Sequence, residues 1–388
     1  MEFVGITIFG GVNITPPPPP APVRYLWSWG KNSYGSLGLG DTTSRSSPTQ
    51  VGASTTWSTI YPNTSIQQTS ASIFGVKTDG TAWAWGYNAY GTLGTTAGTN
   101  QSSPVQLGSA NEWSSFSIGH GHAKFGIKPN GTLWAWGQNS YGQLGLSDSG
   151  NTTHRYSPVQ VGSLTNWAYS ATGRNHSLAV KTDGTLWAWG SGATGRLGLN
   201  VGGSETPTSY SSPVQVGSGT TWLKVAAAHI HSYAVKTDGT LWAWGQNYKG
   251  GLGNGIGTTT ATWSPTQIGS LTNWLHISAG MYTLYAVKTD GTLWSTGQGT
   301  SGQLGLGGTT NISSPTQIGA LTNWLNVSGG RYFAAAIKTN GTIWTWGSNG
   351  NGNLGLGNTT DYASPKQVGV LTSWTTIGAA SFSSLAIG

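Results

Sequence analysis

A block of about fifty residues recurs seven times along this chain of 388 residues. Recurrence at such a period restricts the fold more strongly than any local propensity, because each block must bury its apolar face against its neighbours. Seven W-x-W-G slots open at Trp27, Trp83, Trp134, Trp187, Trp242, Trp294 and Trp344, at intervals of 50 to 56 residues. Each slot is followed by a G-x-L-G turn, as in Gly142 to Gly145 and Gly302 to Gly305, and then by S-P-x-Q-[VIL]-G, as in Ser157 to Gly162. A further tryptophan closes each block, at Trp57, Trp113, Trp167, Trp222, Trp274, Trp324 and Trp374. Twenty of the 21 tryptophans occupy these slots; Trp263 does not.

After the last tryptophan of a block comes a short apolar run, Ser177-Leu178-Ala179-Val180 in one copy, then K-T-D-G-T, then T-L-W-A-W-G. Asp-Gly supplies the positive φ of a tight hairpin turn, and β-rich segments flank it directly. The turn recurs at Lys77, Lys181, Lys236 and Lys288, with Asn-Gly at Lys128 and Lys338. Each block therefore reads as four short antiparallel strands. Both strand faces are apolar, as a sheet sandwiched between two others requires. Four strands repeated seven times predict an all-β, closed seven-bladed β-propeller over residues 25–388.

The chain enters its first block at Tyr25-Leu26-Trp27 and leaves its last at Ser384-Leu385-Ala386-Ile387, so each end lacks the half that the other supplies. Pairing the two completes one blade from both termini and removes the exposed edges of an open array. Each repeat tryptophan buried in such a ring contributes on the order of 4–6 kcal/mol as an upper estimate.

Composition agrees. Charged residues are 7% of the chain against 62 glycines and 21 tryptophans, which suits short strands and tight turns rather than disorder or long helices. Cysteine is absent, so disulfides and thiolate metal sites are excluded. A net charge of +7 is spread without a basic run and does not point to nucleic acid. The N-terminal stretch lacks the basic start of a secretory signal and is broken by Gly and Asn, so neither a leader nor a membrane span is expected.

The motifs W-x-W-G, G-Q-L-G-L-G, S-P-x-Q-V-G and G-x-x-H-S-L-A-V resemble the regulator of chromosome condensation repeats, across residues 25–388. The resemblance implies a seven-bladed propeller with split-blade closure. It leaves function open, since that fold serves nucleotide exchange, ubiquitin-ligase scaffolding, light sensing and enzyme inhibition. The plant photoreceptors of the family place Trp before the family His, whereas this chain has Arg174-Asn175 before His176 and His229-Ile230 before His231, which disfavours light sensing. The resemblance also aligns His122, His176 and His231 as a family histidine bonded to backbone within its blade.

No nucleophile triad, paired carboxylates, phosphate loop or Walker pattern is present, and only ten Asp and Glu occur in all, so the expectation is a non-enzymatic protein with no cofactor and no metal. His120-Gly121-His122 and His229-Ile230-His231 could each set two imidazoles on one strand face, but no acidic residue neighbours them as a further ligand. His120, Arg174, His229, Met281 and Arg331 fall in equivalent slots, expected near the axis as a polar rim. The hairpin lysines form a ring, with Asp79, Asp183, Asp238 and Asp290 two residues on in four of the turns, read as local pairing and ordinary turn chemistry.

Departures from the repeat mark candidate binding sites. A segment around Tyr61 to Gln68 is inserted before Lys77. The stretches ending at Ser157, Ser212 and Ser264 are longer than in the other blocks, and would raise one patch holding His154, Arg155, Tyr156, Tyr210 and Trp263. With Arg174, His229 and Arg331 these are the candidate partner-binding residues. Residues 1–24 read as an apolar arm (Phe3, Ile6, Ile8, Phe9, Val12, Ile14) on a polyproline spacer, Pro16 to Pro20, suited to anchoring in a larger assembly. The expected role is a phage virion component, for decoration or host contact, whose partners are other virion proteins and a host surface protein or glycan. The alternatives are a secreted or surface propeller that binds or inhibits another protein, and an exchange factor.

Overall fold

The last strand of the chain lies beside the first. Ser383–Ile387 pairs antiparallel with Leu26–Gly30, Leu26 opposite Ile387 and Gly30 opposite Ser383, and Thr376–Ala379 and Arg45–Gln50 complete that sheet on either side. Beyond the ladder, Tyr25 and Gly388 exchange both backbone hydrogen bonds, at 3.0 and 3.1 Å. This shared blade, blade 1, is the expected closure. The computed structural model describes residues 23–64, 71–109, 111–201, 208–257 and 260–388. The proposed arm and its polyproline spacer lie outside the described residues.

Six further four-stranded antiparallel sheets follow in chain order, making seven blades. Blade 4 is typical: Trp167–Thr172, His176–Lys181, Leu186–Gly190 and Tyr210–Gln215, each strand pairing with the next. The first strand of each blade touches the first strands on either side, so these strands ring the axis and the S-P-x-Q strands form the outer edge. Among the described residues no helix is long and apolar enough to cross a membrane.

Each tryptophan slot has its own task. The second of W-x-W, at Trp29, Trp85, Trp136, Trp189, Trp244 and Trp346, is wholly buried. Its indole N–H crosses to a carbonyl in the G-x-L-G turn of the preceding blade, Trp189 to Gln143 at 2.9 Å and Trp346 to Gln303 at 2.8 Å. The ring packs so closely on that turn that a Cβ at Gly145, which has φ +74°, would fall 2.8 Å from Trp189 Nε1. That is why the turn ends in glycine. The sixth slot reads Trp294-Ser295-Thr296-Gly297; there Thr296 replaces the buried ring and donates to the Ile312 carbonyl at 2.8 Å. The core is consequently a set of seams. Between blades 3 and 4, for example, Phe125, Leu133, Leu144 and Val161 close around Trp167 and Trp189.

The tryptophan that opens each W-x-W stays half-exposed and meets the closing tryptophan edge-on, Trp187 against Trp167 at 6.1 Å and 77°. The hairpin lysine lies over both rings: Lys181 Nζ is 3.7 Å from the Trp187 centroid and 5.0 Å from that of Trp167. The same sandwich recurs at Lys77, Lys128, Lys236, Lys288 and Lys338. This corrects the expected pairing of lysine with the nearby aspartate. Asp183 instead accepts from the Thr185 amide (2.9 Å) and hydroxyl (2.6 Å), and the Trp187 indole donates to that hydroxyl at 2.9 Å. A ring quadrupole offers the ammonium a favourable seat that the turn carboxylate, already committed, does not.

The disc thus has two unlike faces. One carries the lysine hairpins and the segments leading into the closing tryptophans, with Leu275, Leu325 and Val370 exposed among them. The other carries the G-x-L-G turns and the links between first and second strands.

Candidate binding face

On this second face the links between first and second strands place His120, Arg174, His229, Met281 and Arg331 around the axis, in equivalent slots. His120 is almost fully buried, and its Nε2 donates across the central opening to the Ala279 carbonyl of blade 6, at 3.1 Å. Burial pushes this imidazole down to about 4, so it is neutral at physiological pH. The Thr64 hydroxyl stands 3.4 Å from the same nitrogen, and the Asn63 amide donates to the Gly121 carbonyl at 3.1 Å. The insertion seen before Lys77 therefore delivers Asn63 and Thr64 to the axis; residues 65–70 lie outside the described residues. Met281 is buried, so the slot it holds is not a continuous polar rim.

Arg174 is exposed and its guanidinium donates to His229 Nε2 at 3.1 Å, which fixes the proton of that imidazole on Nδ1. Burial, with Arg174 beside it, pushes His229 down to about 3. Arg331 lies over Tyr332 and Phe382, at 5.1 and 5.4 Å from the ring centroids.

The expected alignment of three family histidines holds for two. His176 stands opposite Gly190 and His231 opposite Gly245, but in blade 3 it is Ala123 that stands opposite Gly137. One extra residue between Gly119 and Lys128 moves His122 to the preceding position, where Tyr282, Tyr332 and Phe382 stand in other blades. There it sits between Tyr87 and Tyr90, at 5.6 and 5.4 Å. Nor do the aligned pair bond backbone: His176 Nε2 donates to Ser232 Oγ at 2.9 Å, and that hydroxyl passes on to the Arg196 carbonyl at 2.7 Å. Gly173 permits this, since a Cβ there would lie 2.0 Å from the His176 ring. His231 is fully buried, and neither ring nitrogen has a partner among the described residues.

The outer candidates occupy the same face but do not merge into one raised patch. Arg155 is held by Asp148 and by the Thr153 carbonyl, just as Arg45 pairs with Asp41 at 2.7 Å in blade 1. His154 Nδ1 accepts from the Asn139 amide at 3.1 Å and meets Tyr90 edge-on. Tyr156, 47% exposed, and half-buried Trp263 replace the small residue that elsewhere underlies the neighbouring turn glycine. Tyr210, between them in the ring, is sunk into the seams on both sides of blade 4. Of the eight candidates, Tyr156, Trp263 and Arg174 present surface, while Arg155 and Tyr210 are spent internally.

Sequence reasoning found Tyr156 but missed the other tyrosines of this face. Tyr34 and Tyr87 meet at 5.0 Å, Tyr248 and Tyr282 at 4.8 Å, and Tyr332 and Phe382 at 6.4 Å, all half-exposed. Tyr141 is 46% exposed. A signal was present in the residue before the turn glycine: Tyr34-Gly35, Tyr90-Gly91 and Tyr141-Gly142. Among the described residues, no group of three or more His, Asp or Glu stands where it could hold a metal.

A closed ring of seven blades, six of them stapled by a buried tryptophan, with an aromatic and basic face defines a repeat propeller. The chain belongs to the RCC1-like domain family, whose model matches residues 76–386, and the regulator of chromosome condensation repeat matches residues 25–61. It is 29% identical over 285 residues to the ultraviolet-B receptor UVR8 of Arabidopsis thaliana, covering 72% of this chain and 62% of the receptor. It is 29% identical over 201 residues to the E3 ubiquitin-protein ligase HERC2 of Homo sapiens, covering 50% of this chain and 4% of the ligase. The chain thus spans less than two thirds of the length of either relative. Among solved structures it resembles Prp20p of Saccharomyces cerevisiae, with a TM-score of 0.81 at 20% identity over 95% of this chain and 92% of that one. Human WBSCR16 gives 0.80 at 19% identity, over 94% and 98%. These likenesses show the fold.

Proposed function

We propose that this chain is a non-enzymatic binding platform that holds a protein partner against its tyrosine face, as one component of a larger assembly. The observation that carries this reading is the chemistry of that face: half-exposed Tyr34, Tyr87, Tyr90, Tyr141, Tyr156 and Tyr332 with Arg174 and Arg331, mounted on a rigid ring. Tyrosine and arginine are the side chains that give interfaces their energy at low conformational cost. Prp20p, which shares the disc, has been studied for its binding to Gsp1p and histones, in keeping with a propeller that offers a face to proteins.

The finer reading makes the assembly a phage virion, joined through the arm residues Phe3, Ile6, Ile8, Phe9, Val12 and Ile14. It is supported by the arm and spacer in the sequence alone. One experiment addresses both levels. Partners retained by the native protein from its own producing cells or particles are compared with those retained by Tyr141→Ala/Tyr156→Ala/Tyr332→Ala, by Leu275→Ser/Leu325→Ser and by a deletion of residues 1–22. Loss of the partner with the tyrosines but not the leucines supports the face. Retention by the tyrosine variant sinks it. Incorporation into particles that survives removal of residues 1–22 overturns the anchoring reading.

A further inference from the structure

A cavity of about 140 Å³ opens on the tyrosine face between blades 3 and 4, lined by His120, His122, Gln138, Tyr141, Arg174 and Asn175, with Gly121 at its back. His122, Gln138, Tyr141, Arg174 and Asn175 can each donate a hydrogen bond, His120 having committed its single N–H to Ala279, and none of the six is a carboxylate. Behind Gly121 stands Lys124, wholly buried, whose ammonium donates to the Gly121 carbonyl at 2.7 Å and makes no other hydrogen bond among the described residues. The equivalent position in the other blades is Ile73, Ser177, Ser232, Leu284, Ala334 or Ser384, as the pairing with the W-x-W strand shows. Only blade 3 places a cation there.

Among the described residues this charge has no counter-ion. Glu2 and Glu205 lie outside the described residues. Asp79, Asp183, Asp238 and Asp290 serve turns on the opposite face, and Asp41, Glu112 and Asp148 are paired with Arg45, Lys128 and Arg155. Asp361 accepts from the Asn349 amide. Buried positive charge without an opposite partner is costly, and burial alone pushes the Lys124 amine down to about 7.

We propose that this cavity binds a single oxyanion, a phosphate or a carboxylate, seated by Arg174, His122 and Asn175 at its mouth with the Lys124 charge behind it. One guanidinium nitrogen of Arg174 is engaged with His229, leaving the others for a charge-assisted bond to the anion. The site takes a free ion or the acidic end of a larger molecule by the same chemistry. It does not depend on the partner reading above, because it belongs to the isolated propeller.

The test follows the histidine Cε1–Hε1 NMR signals of the whole protein at neutral pH and constant ionic strength, as inorganic phosphate and then acetate are added. The expected result is a saturable shift of the His120 and His122 signals, with His154 and His276 unmoved. Arg174→Gln, at an exposed position that leaves the core intact, weakens the binding by about tenfold, the worth of one charge-assisted bond. Lys124→Met weakens it likewise. Saturation by phosphate alone identifies a phosphate site and saturation by acetate a carboxylate site. Signals that do not move with either ion, or that move equally in Arg174→Gln, overturn the proposal.

Discussion

Lys124 and the axial histidines are ionisable groups whose charged forms burial disfavours, and each ties stability to pH. The sign follows from which state binds more protons. The Lys124 amine falls from an ordinary 10.5 to about 7 on folding, so between those values the unfolded chain holds more protons and stability rises with pH. His122, His229 and His231 fall from 6.5 to about 3, and His120 to about 4, so stability is complete above pH 6.5 and is lost as pH drops below it. Each group acts with a slope of about 1.4 kcal/mol per pH unit within its window. Urea midpoints measured across pH should therefore decline below 6.5 and climb between 7 and 10.5, and Lys124→Met should flatten the alkaline climb. A midpoint that is level through both windows contradicts this account. None of it was legible beforehand. The sequence shows His120 and His122, but a single extra residue in blade 3 decides which of them reaches the axis and which joins the tyrosines.

At the scale of one hairpin, the turn was legible and its energetics were not. Asp-Gly between β-rich runs announces the reversal, because φ is positive at the glycine, +76° at Gly184. What the lysine touches depends on register, since Trp167 stands opposite Lys181 across the first pair of strands while Trp187 comes from the third. Removing the central hydroxyl of the Asp183–Thr185–Trp187 relay leaves the Trp187 indole N–H without its acceptor and Asp183 with one donor fewer. Thr185→Val should cost about 1–3 kcal/mol by chemical denaturation. Lys181→Met, which keeps the apolar stem over the rings and deletes only the charge, should cost about 0.5–2 kcal/mol. If Lys181→Met equals the native protein while Lys181→Ala does not, the stem rather than the ammonium stabilises the sandwich.

For the whole molecule, the number of blades and their closure were readable because the two ends of the chain are complementary halves of one motif, a relation that survives any error in strand boundaries. Which face binds was not readable, because the axial slots and the tyrosines converge only when all seven links stand on one rim. Closure makes a direct prediction. A circular permutant joining residue 388 to residue 23 through a short linker, and opened at the exposed Gly162, where an added Cβ would meet no neighbour, should fold with the native near-ultraviolet circular dichroism. Deleting residues 383–388 should abolish that signal, since it removes the strand paired with both Leu26–Gly30 and Thr376–Ala379. The meeting of Tyr25 with Gly388 also settles how the disc orients when tethered. Tyr25 and Gly388 lie side by side on the lysine rim, so a solid support joined at Gly388 leaves the opposite surface turned outward, like a dish on a single stalk.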